Sequence, residues 1–168
     1  MSENQTATSL TIPQPHEITE REKEDAMGAY LMMFGALGAG LPIPFLSLIA
    51  AIIYHYLNSK TSKFVGFHSL QSLLTESIIS VFNGVAVIWT IFILFTERSF
   101  NSTFYSFLLF TLFWNLIYIV FSIIACIAAR KGKFYYYLVF GRLAFNHYYN
   151  PKKETPKAEM VNTPPGDF

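Results

Sequence analysis

Residues 63 to 95 read "KFVGFHSLQSLLTESIISVFNGVAVIWTIFILF", and this run decides the fold. Only its first residue, Lys63, and Glu76 carry a formal charge. A helix crosses the hydrocarbon core of a bilayer with about 20 apolar residues, so the run is long enough to cross. At about 100° per residue its polar side chains fall on one half of the helix and its aliphatic ones on the other. The run therefore predicts an amphipathic helix with one face toward lipid and one toward protein.

Composition supports a membrane protein with room for one domain. The 168 residues are 52% hydrophobic and 17% aromatic, well above the average of soluble domains. Six of the eleven acidic residues precede residue 26, and seven of the twelve Lys and Arg follow residue 129. A basic segment beside an apolar span attracts anionic lipid, so the expected partner is the bilayer and not a nucleic acid.

The segment before this run predicts two short helices. Thr19 and Glu22 have the spacing of a capping box, which places a helix start near residue 20. Residues 26–57 carry no formal charge, and as one helix they would extend about 48 Å, more than a bilayer core needs. Pro42 and Pro44 interrupt them. The pattern leaves open whether this pair crosses twice or forms a re-entrant hairpin.

After the long run, a polar loop leads to a further apolar helix, which Gly132 is expected to end as a C-terminal cap. The aromatic segment that follows suits the head-group region. The predicted fold is thus an all-α polytopic membrane protein with four apolar helices. Its parts are a disordered lead-in 1–19, a membrane domain 20–149 with helices at about 20–40, 45–57, 63–95 and 104–129 and an interfacial segment 134–149, and a disordered tail 150–168.

The distribution of basic residues predicts the topology. If residues 26–57 form a hairpin or two crossings, eleven of the twelve Lys and Arg share one side and only Arg98 lies opposite. The positive-inside rule then places both termini in the cytoplasm. The expected location is a bacterial plasma membrane, crossed several times.

Six polar side chains are the candidates for helix pairing or function, because polar groups within spans are costly to leave unpaired. Since the 20 most apolar residues of the long run are about 76–95, His68 and Gln71 are expected outside the hydrocarbon core, at the cytoplasmic boundary. Interhelical hydrogen bonding is their expected role. The candidates are His68, Gln71, Glu76, Asn83, Asn115 and, in the aromatic segment, Arg142.

Catalytic, cofactor and metal sites are not expected. His55 and His68 are the nearby imidazoles, and neither belongs to a metal-ligand pattern. The single Cys126 forms no intrachain disulfide, and no GxSxG nucleophile motif is present. His68 and Glu76 lie about 12 Å apart along one helix, too far for an acid–base pair. An ion-conducting protein or intramembrane enzyme that uses Glu76, His68 and Asn83 is the least favoured alternative.

The pattern Phe-x-x-Phe-His-x-x-Gln-x-x-Leu entering a span, formed by Phe64, Phe67, His68, Gln71 and Leu74, resembles a known family. This is the family of the twenty-kilodalton membrane subunit of the chloroplast inner-envelope protein import translocon, with its uncharacterised small bacterial relatives. The resemblance spans about residues 22–145. It implies four membrane helices, both termini on one side and no enzymatic chemistry. The acidic start differs from a transit peptide and favours a bacterial member.

Two main hypotheses for function follow. The first is a non-enzymatic component of a protein transport or translocation assembly, in which His68 and Gln71 hold the start of the third helix against the loop after the second. The alternative is a small structural or scaffolding membrane protein that oligomerises without a translocation path. Partners beyond lipid would be other copies of the chain or other membrane protein subunits.

Overall fold

The computed structural model describes residues 12–38, 45–96 and 99–149, and the regular structure in these ranges is entirely helical. This confirms the all-α class. The predicted turn around Pro42 and Pro44 and most of the two terminal segments lie outside the described residues. The helices are α1 Glu20–Gly38, α2 Leu46–Asn58, α3 Lys63–Phe95, α4 Ser102–Arg130 and α5 Phe140–Tyr149.

The start of α1 is fixed by the predicted capping box. The Thr19 amide donates to Glu22 Oε2 at 2.8 Å, and the Glu22 amide donates to Thr19 Oγ1 at 3.3 Å. Two of the amides that a helix start leaves without intrahelical partners are thereby satisfied. Arg130, at the end of α4, donates to Glu20 at 2.7 Å. The first turn of α1 is therefore joined to the last turn of α4.

Local caps also set the ends of the two long helices. The Ser62 hydroxyl accepts from the Val65 amide at 3.2 Å at the start of α3. The Asn101 side chain accepts from the Phe104 amide at 2.9 Å at the start of α4. Gly132 has a φ of 69°, the left-handed conformation that glycine adopts without strain, and it ends α4 as predicted.

Helices α3 and α4 form a long antiparallel hairpin, and α1 and α2 cover only part of it. Tyr30 of α1 lies beside His68, and Ser47 near the start of α2 lies beside Glu76. A Cβ added to Gly84 would lie 2.7 Å from Cζ of Phe45, so α2 begins at the level of residue 84. We call residues 84–95 with 102–115 the distal hairpin. The packed end comprises α1, α2, α5 and the remainder of α3 and α4.

Small residues and aromatic rings form the core of the packed end. Ala26, Ala125 and Ala129 have no exposed surface, which lets α1 and α4 approach closely. The predicted interfacial segment 134–149 includes α5, and its aromatic residues pack on α3 around Phe67. Part of this segment is therefore protein core, which its density of aromatic residues did not indicate.

Two helices are long and apolar enough to cross a membrane. They are α3 and α4, and the most apolar 18-residue stretch of each has a mean hydropathy of 2.4 and 2.3, respectively. Only 28% and 17% of these stretches are buried, whereas a core helix of a soluble protein would be mostly buried. Helix α2 is apolar but has 13 residues, and the first six residues of α1 are all charged. Two candidate spans are thus established among the described helices, fewer than the four predicted.

Candidate functional site

One face of α3 carries a row of polar side chains that point into the protein. We call this row the polar seam. Most of its members are buried: His68, Gln71 and Ser80 have no exposed surface, and Glu76 is 4% exposed. In apolar surroundings each such group costs free energy unless it is hydrogen-bonded, so its partners define what the seam does. The seam consists of His68, Gln71, Ser72, Glu76, Ser80 and Asn83.

Gln71 connects three parts of the chain. Its Nε2 donates to the Tyr30 hydroxyl at 2.8 Å and to the Tyr135 carbonyl at 3.0 Å. Its Oε1 accepts from the Tyr137 amide at 3.1 Å. Both amide hydrogens and one oxygen lone pair are therefore used. One side chain holds α1 and the segment after α4 against α3.

His68 shares the same tyrosine. The Tyr30 hydroxyl lies 2.9 Å from His68 Nδ1. Because this hydroxyl already accepts from Gln71, its own hydrogen is available for Nδ1, and a neutral His68 then carries its ring hydrogen on Nε2. This Nε2 is buried and has no hydrogen-bond partner among the described residues. Phe64 and Phe67 lie edge-on to the imidazole ring. His68 was predicted to hold the loop after α2, but its partner is Tyr30 of α1.

Glu76 forms a separate polar cluster between α2, α3 and α4. Its Oε2 accepts from the Tyr118 hydroxyl at 2.5 Å, and its Oε1 accepts from Ser47 and, at 3.4 Å, from Ser80. Three hydroxyl groups therefore surround one carboxyl group. Such donors compensate part of the cost of burying a carboxylate. The cluster joins the first turn of α2 to the middle of the long hairpin.

Asn83 and Asn115 pair directly at the junction of the packed end and the distal hairpin. Asn83 Nδ2 donates to Asn115 Oδ1 at 3.2 Å, and Asn115 Nδ2 donates back to Asn83 Oδ1 at 2.8 Å. The second amide hydrogen of Asn115 reaches the Thr111 carbonyl at 2.8 Å. This reciprocal pair fixes the register of α3 against α4.

The six residues singled out from the sequence therefore fall into three groups and one outlier. His68 and Gln71 meet at Tyr30, Asn83 meets Asn115, and Glu76 has its own cluster. Arg142 lies exposed on α5 and is in none of these groups. His68 and Gln71 were predicted to lie at the cytoplasmic boundary of the membrane, and in the structure both side chains are enclosed by protein.

Sequence reasoning missed Tyr30 and Ser47 as partners. Tyr30 was detectable, since it carries the only hydroxyl in the stretch "AMGAYLMMFGALG" of α1, and a lone polar group in an apolar helix needs a partner. Ser47 gave no such signal, because serine is common at helix starts.

The chemistry available to the seam is hydrogen bonding. Among residues 12–38, 45–96 and 99–149 there is no group of three or more His, Cys, Asp or Glu side chains that could hold a metal ion. Most of the hydrogen bonds described above join separate elements of the chain, and those from Asn115 to Thr111 and from Ser80 to Glu76 lie within one helix. The arrangement is that of groups which position helices.

These features define a class: an all-α protein whose two long apolar helices qualify as membrane spans and whose packed end is joined by buried polar side chains. Residues 22–144 match the model of the MamF/MmsF magnetosome magnetite crystal formation protein family. Since the match spans well over half of the 168 residues, the chain belongs to this family, whose members are bacterial membrane proteins. No curated protein and no solved structure matches the chain.

The family match corrects two expectations. The resemblance to the chloroplast translocon subunit family is wrong, and with it the prediction of a protein transport or translocation component. The pattern from Phe64 to Leu74 explains the error. Its residues Phe64, Phe67, His68 and Gln71 are buried against α1, α5 and the segment between α4 and α5. The pattern therefore describes how a helix start packs, and it carries no information about transport.

Proposed function

We propose that this chain is a structural, non-enzymatic membrane protein that takes part in magnetite crystal formation at the magnetosome membrane. The observation that carries the proposal is the family match over residues 22–144, which includes α2, α3, α4 and the whole polar seam. The structural alternative raised by the sequence fits this family better than transport does.

The polar seam supports a structural role. Gln71 uses three hydrogen bonds to join α3 to α1 and to residues 135–137, and Glu76 is surrounded by hydroxyl groups of its own chain. Groups engaged in this way hold helices in place. A reactive group would instead need access to a substrate.

In the arrangement that we propose, α3 and α4 cross the membrane and lipid covers their exposed apolar side chains. Ile88, Leu94, Leu109 and Leu116 are each at least 60% exposed. An apolar surface of this extent needs either lipid or a protein partner. Lipid is the partner inferred here, and association with further copies stays a prediction.

The distribution of charge supports a multi-pass topology with both termini in the cytoplasm. Eleven of the twelve Lys and Arg then lie on the cytoplasmic side, as the positive-inside rule favours. The connection between α3 and α4, with Arg98, lies on the opposite side. This connection would be the part of the long hairpin nearest to the growing crystal.

The test is deletion and complementation in the magnetite-forming host. We expect the deletion strain to form crystals of altered size or shape, and the wild-type chain to restore them while it co-purifies with magnetosomes. A matched strain that carries the chain with Ser77→Ala, a change outside the seam, should also be restored. Crystals indistinguishable from wild type in the deletion strain, or a chain absent from the magnetosome fraction, would refute the proposal.

A further inference from the structure

A cavity of about 300 Å³ lies at the end of the bundle where the chain enters α1 and α3. Its wall combines the turn before α1, the start of α3 and the last residue of α5. Three apolar residues, Pro13, Ile18 and Phe64, form part of this wall. No member of the polar seam lines it, so the cavity is a separate feature. Its polar lining consists of Glu17, Glu22, Ser62, Lys63 and Tyr149.

Tyr149 contributes a buried hydroxyl that has no hydrogen-bond partner within the described residues. The residue is 4% exposed. Buried polar atoms are nearly always paired in native proteins, so this hydroxyl calls for a partner from outside the described chain. Burial raises the pKa of Tyr149, and the nearby Glu22 carboxylate raises it further. The phenol is therefore protonated at neutral pH and offers a donor.

The charged groups of the cavity have mixed signs. Glu17 and Glu22 each accept a backbone amide through Oε2, which fixes both carboxylates to the turn around the start of α1. The Lys63 ammonium lies 6.0 Å from the centre of the Tyr149 ring. The Lys63 ammonium would repel a metal cation. A ligand with both an ammonium and an anionic group matches the cavity better, because its ammonium faces the two carboxylates and its anionic group faces Lys63.

The position of the cavity indicates where such a ligand comes from. At the same end of the bundle, Tyr56 and Leu57 at the close of α2 are 74% and 67% exposed, and Ile127 near the close of α4 is 50% exposed. The apolar outer surface thus reaches the level of Lys63. If lipid covers this surface, as in the proposed function, phospholipid head groups lie beside the cavity.

We propose that this cavity binds the phosphoethanolamine head group of a membrane phospholipid. Its ammonium lies between the Glu17 and Glu22 carboxylates, and its phosphate accepts the Tyr149 hydroxyl beside Lys63. A primary ammonium donates three hydrogen bonds to such carboxylates, whereas the quaternary ammonium of phosphocholine donates none. Phosphoglycerol lacks the cation. The cavity should therefore prefer phosphoethanolamine over both.

The preference can be measured by native mass spectrometry of the full-length chain in detergent, titrated separately with dioleoyl phosphatidylethanolamine, phosphatidylcholine and phosphatidylglycerol. We expect the first lipid to bind most tightly. Tyr149→Phe should lower its affinity about tenfold, the effect of one hydrogen bond to a charged group, without changing the affinity for phosphatidylcholine. The matched control is Tyr56→Phe, which removes an exposed hydroxyl and should change nothing.

Glu17→Gln provides a second variant that does not depend on the core, because Glu17 is exposed. It should reduce the preference for phosphatidylethanolamine and leave the melting temperature unchanged. Equal affinity for the three lipids, or a preference unaffected by both Tyr149→Phe and Glu17→Gln, would overturn the proposal. So would Glu17-dependent binding of Mn²⁺ that displaces the lipid, since it would mark the cavity as a cation site. A crystal phenotype in the deletion strain is independent of all these outcomes.

Discussion

The two ends of the α3–α4 hairpin differ in burial and in the side chains that contact α3. Eight of the ten residues from 63 to 72 are buried, against two of the ten from 86 to 95. At the packed end, α1 and α2 meet α3 through polar side chains, and α5 packs on it through aromatic residues. In the distal hairpin α3 contacts α4 through aromatic pairs such as Trp89 with Phe104. Polar groups thus join α1 and α2 to α3, whereas in the distal hairpin many apolar side chains face outward.

This difference has an energetic reason. Association of helices within lipid gains little from apolar burial, because lipid is as apolar as the side chains. In the proposed arrangement lipid is the alternative partner for the faces of α3 and α4, so hydrogen bonds and close packing of small residues select α1 and α2. The distal hairpin needs less selection, since α3 and α4 are consecutive in the chain and one reciprocal pair, Asn83 with Asn115, sets their register.

Gln71→Leu should have the largest effect at the packed end. It leaves the buried Tyr137 amide and the part-buried Tyr135 carbonyl without this partner and removes a donor from Tyr30. At about 1–3 kcal/mol for each unsatisfied group, we expect a loss of about 4 kcal/mol in the free energy of unfolding.

Reversible unfolding in mixed detergent micelles would measure this loss. Ser77→Ala is the matched control, because the Ser77 hydroxyl bonds only to Leu73 of its own helix. If the two variants lose equal stability, the hydrogen bonds of Gln71 do not stabilise the contacts of α3 with α1 and residues 135–137.

Glu76→Leu should have the next largest effect, about 3 kcal/mol, because the hydroxyls of Ser47, Ser80 and Tyr118 lose their common acceptor. Glu76→Gln keeps an acceptor oxygen at the same place and should lose about 1 kcal/mol. The same unfolding assay separates the two variants. A leucine variant as stable as the wild type would show that the hydroxyls find other partners.

Gly141→Ala tests how closely α5 approaches α3. A Cβ there would lie 2.8 Å from Gln71 Oε1 and 2.7 Å from the Tyr136 Cα, so the backbone must shift. Overpacking of this kind costs about 2 kcal/mol. The neighbouring exposed residue gives the control, since Arg142→Ala should change stability by less than about 0.5 kcal/mol. Equal effects of the two variants would contradict the close contact.

The smallest expected effect concerns the junction with the distal hairpin. A double-mutant cycle with Asn83→Ala and Asn115→Ala should give a coupling energy of about 0.6 to 1 kcal/mol, the usual size for polar pairs between membrane helices. A parallel cycle with Ser77→Ala and Asn115→Ala should be additive. Coupling in the second cycle equal to that in the first would mean that the amide pair carries no specific interaction.

The sequence was informative where a local rule decides the structure. The apolar periodicity from residue 63 to 95 predicted the all-α class, and the Thr19–Glu22 spacing and Gly132 predicted two helix ends that the structure confirms. Each of these rests on neighbours within a few residues in the chain. The polar face of α3 was also predicted, because its polar side chains recur at the spacing of one face of a helix.

The sequence was least informative where partners are distant in the chain. Gln71 bonds to groups 41, 64 and 66 residues away, and no periodicity identifies them. The family was misassigned for a related reason, because the pattern around His68 and Gln71 reports packing at a helix start and not function. The cavity at Tyr149 was not foreseen, since it joins the turn before α1 to the end of α5.

The central claim is that the long hairpin faces lipid while the packed end is held by the polar seam. Spin labels at Ile88, Leu109 and His68, each as a single cysteine in a Cys126→Ala chain in phospholipid vesicles, test it directly. We predict that the labels at Ile88 and Leu109 collide readily with oxygen and rarely with a water-soluble nickel chelate, and that the label at His68 is inaccessible to both. Ready collision of the nickel chelate with the labels at Ile88 and Leu109 would place the hairpin in water and contradict the account.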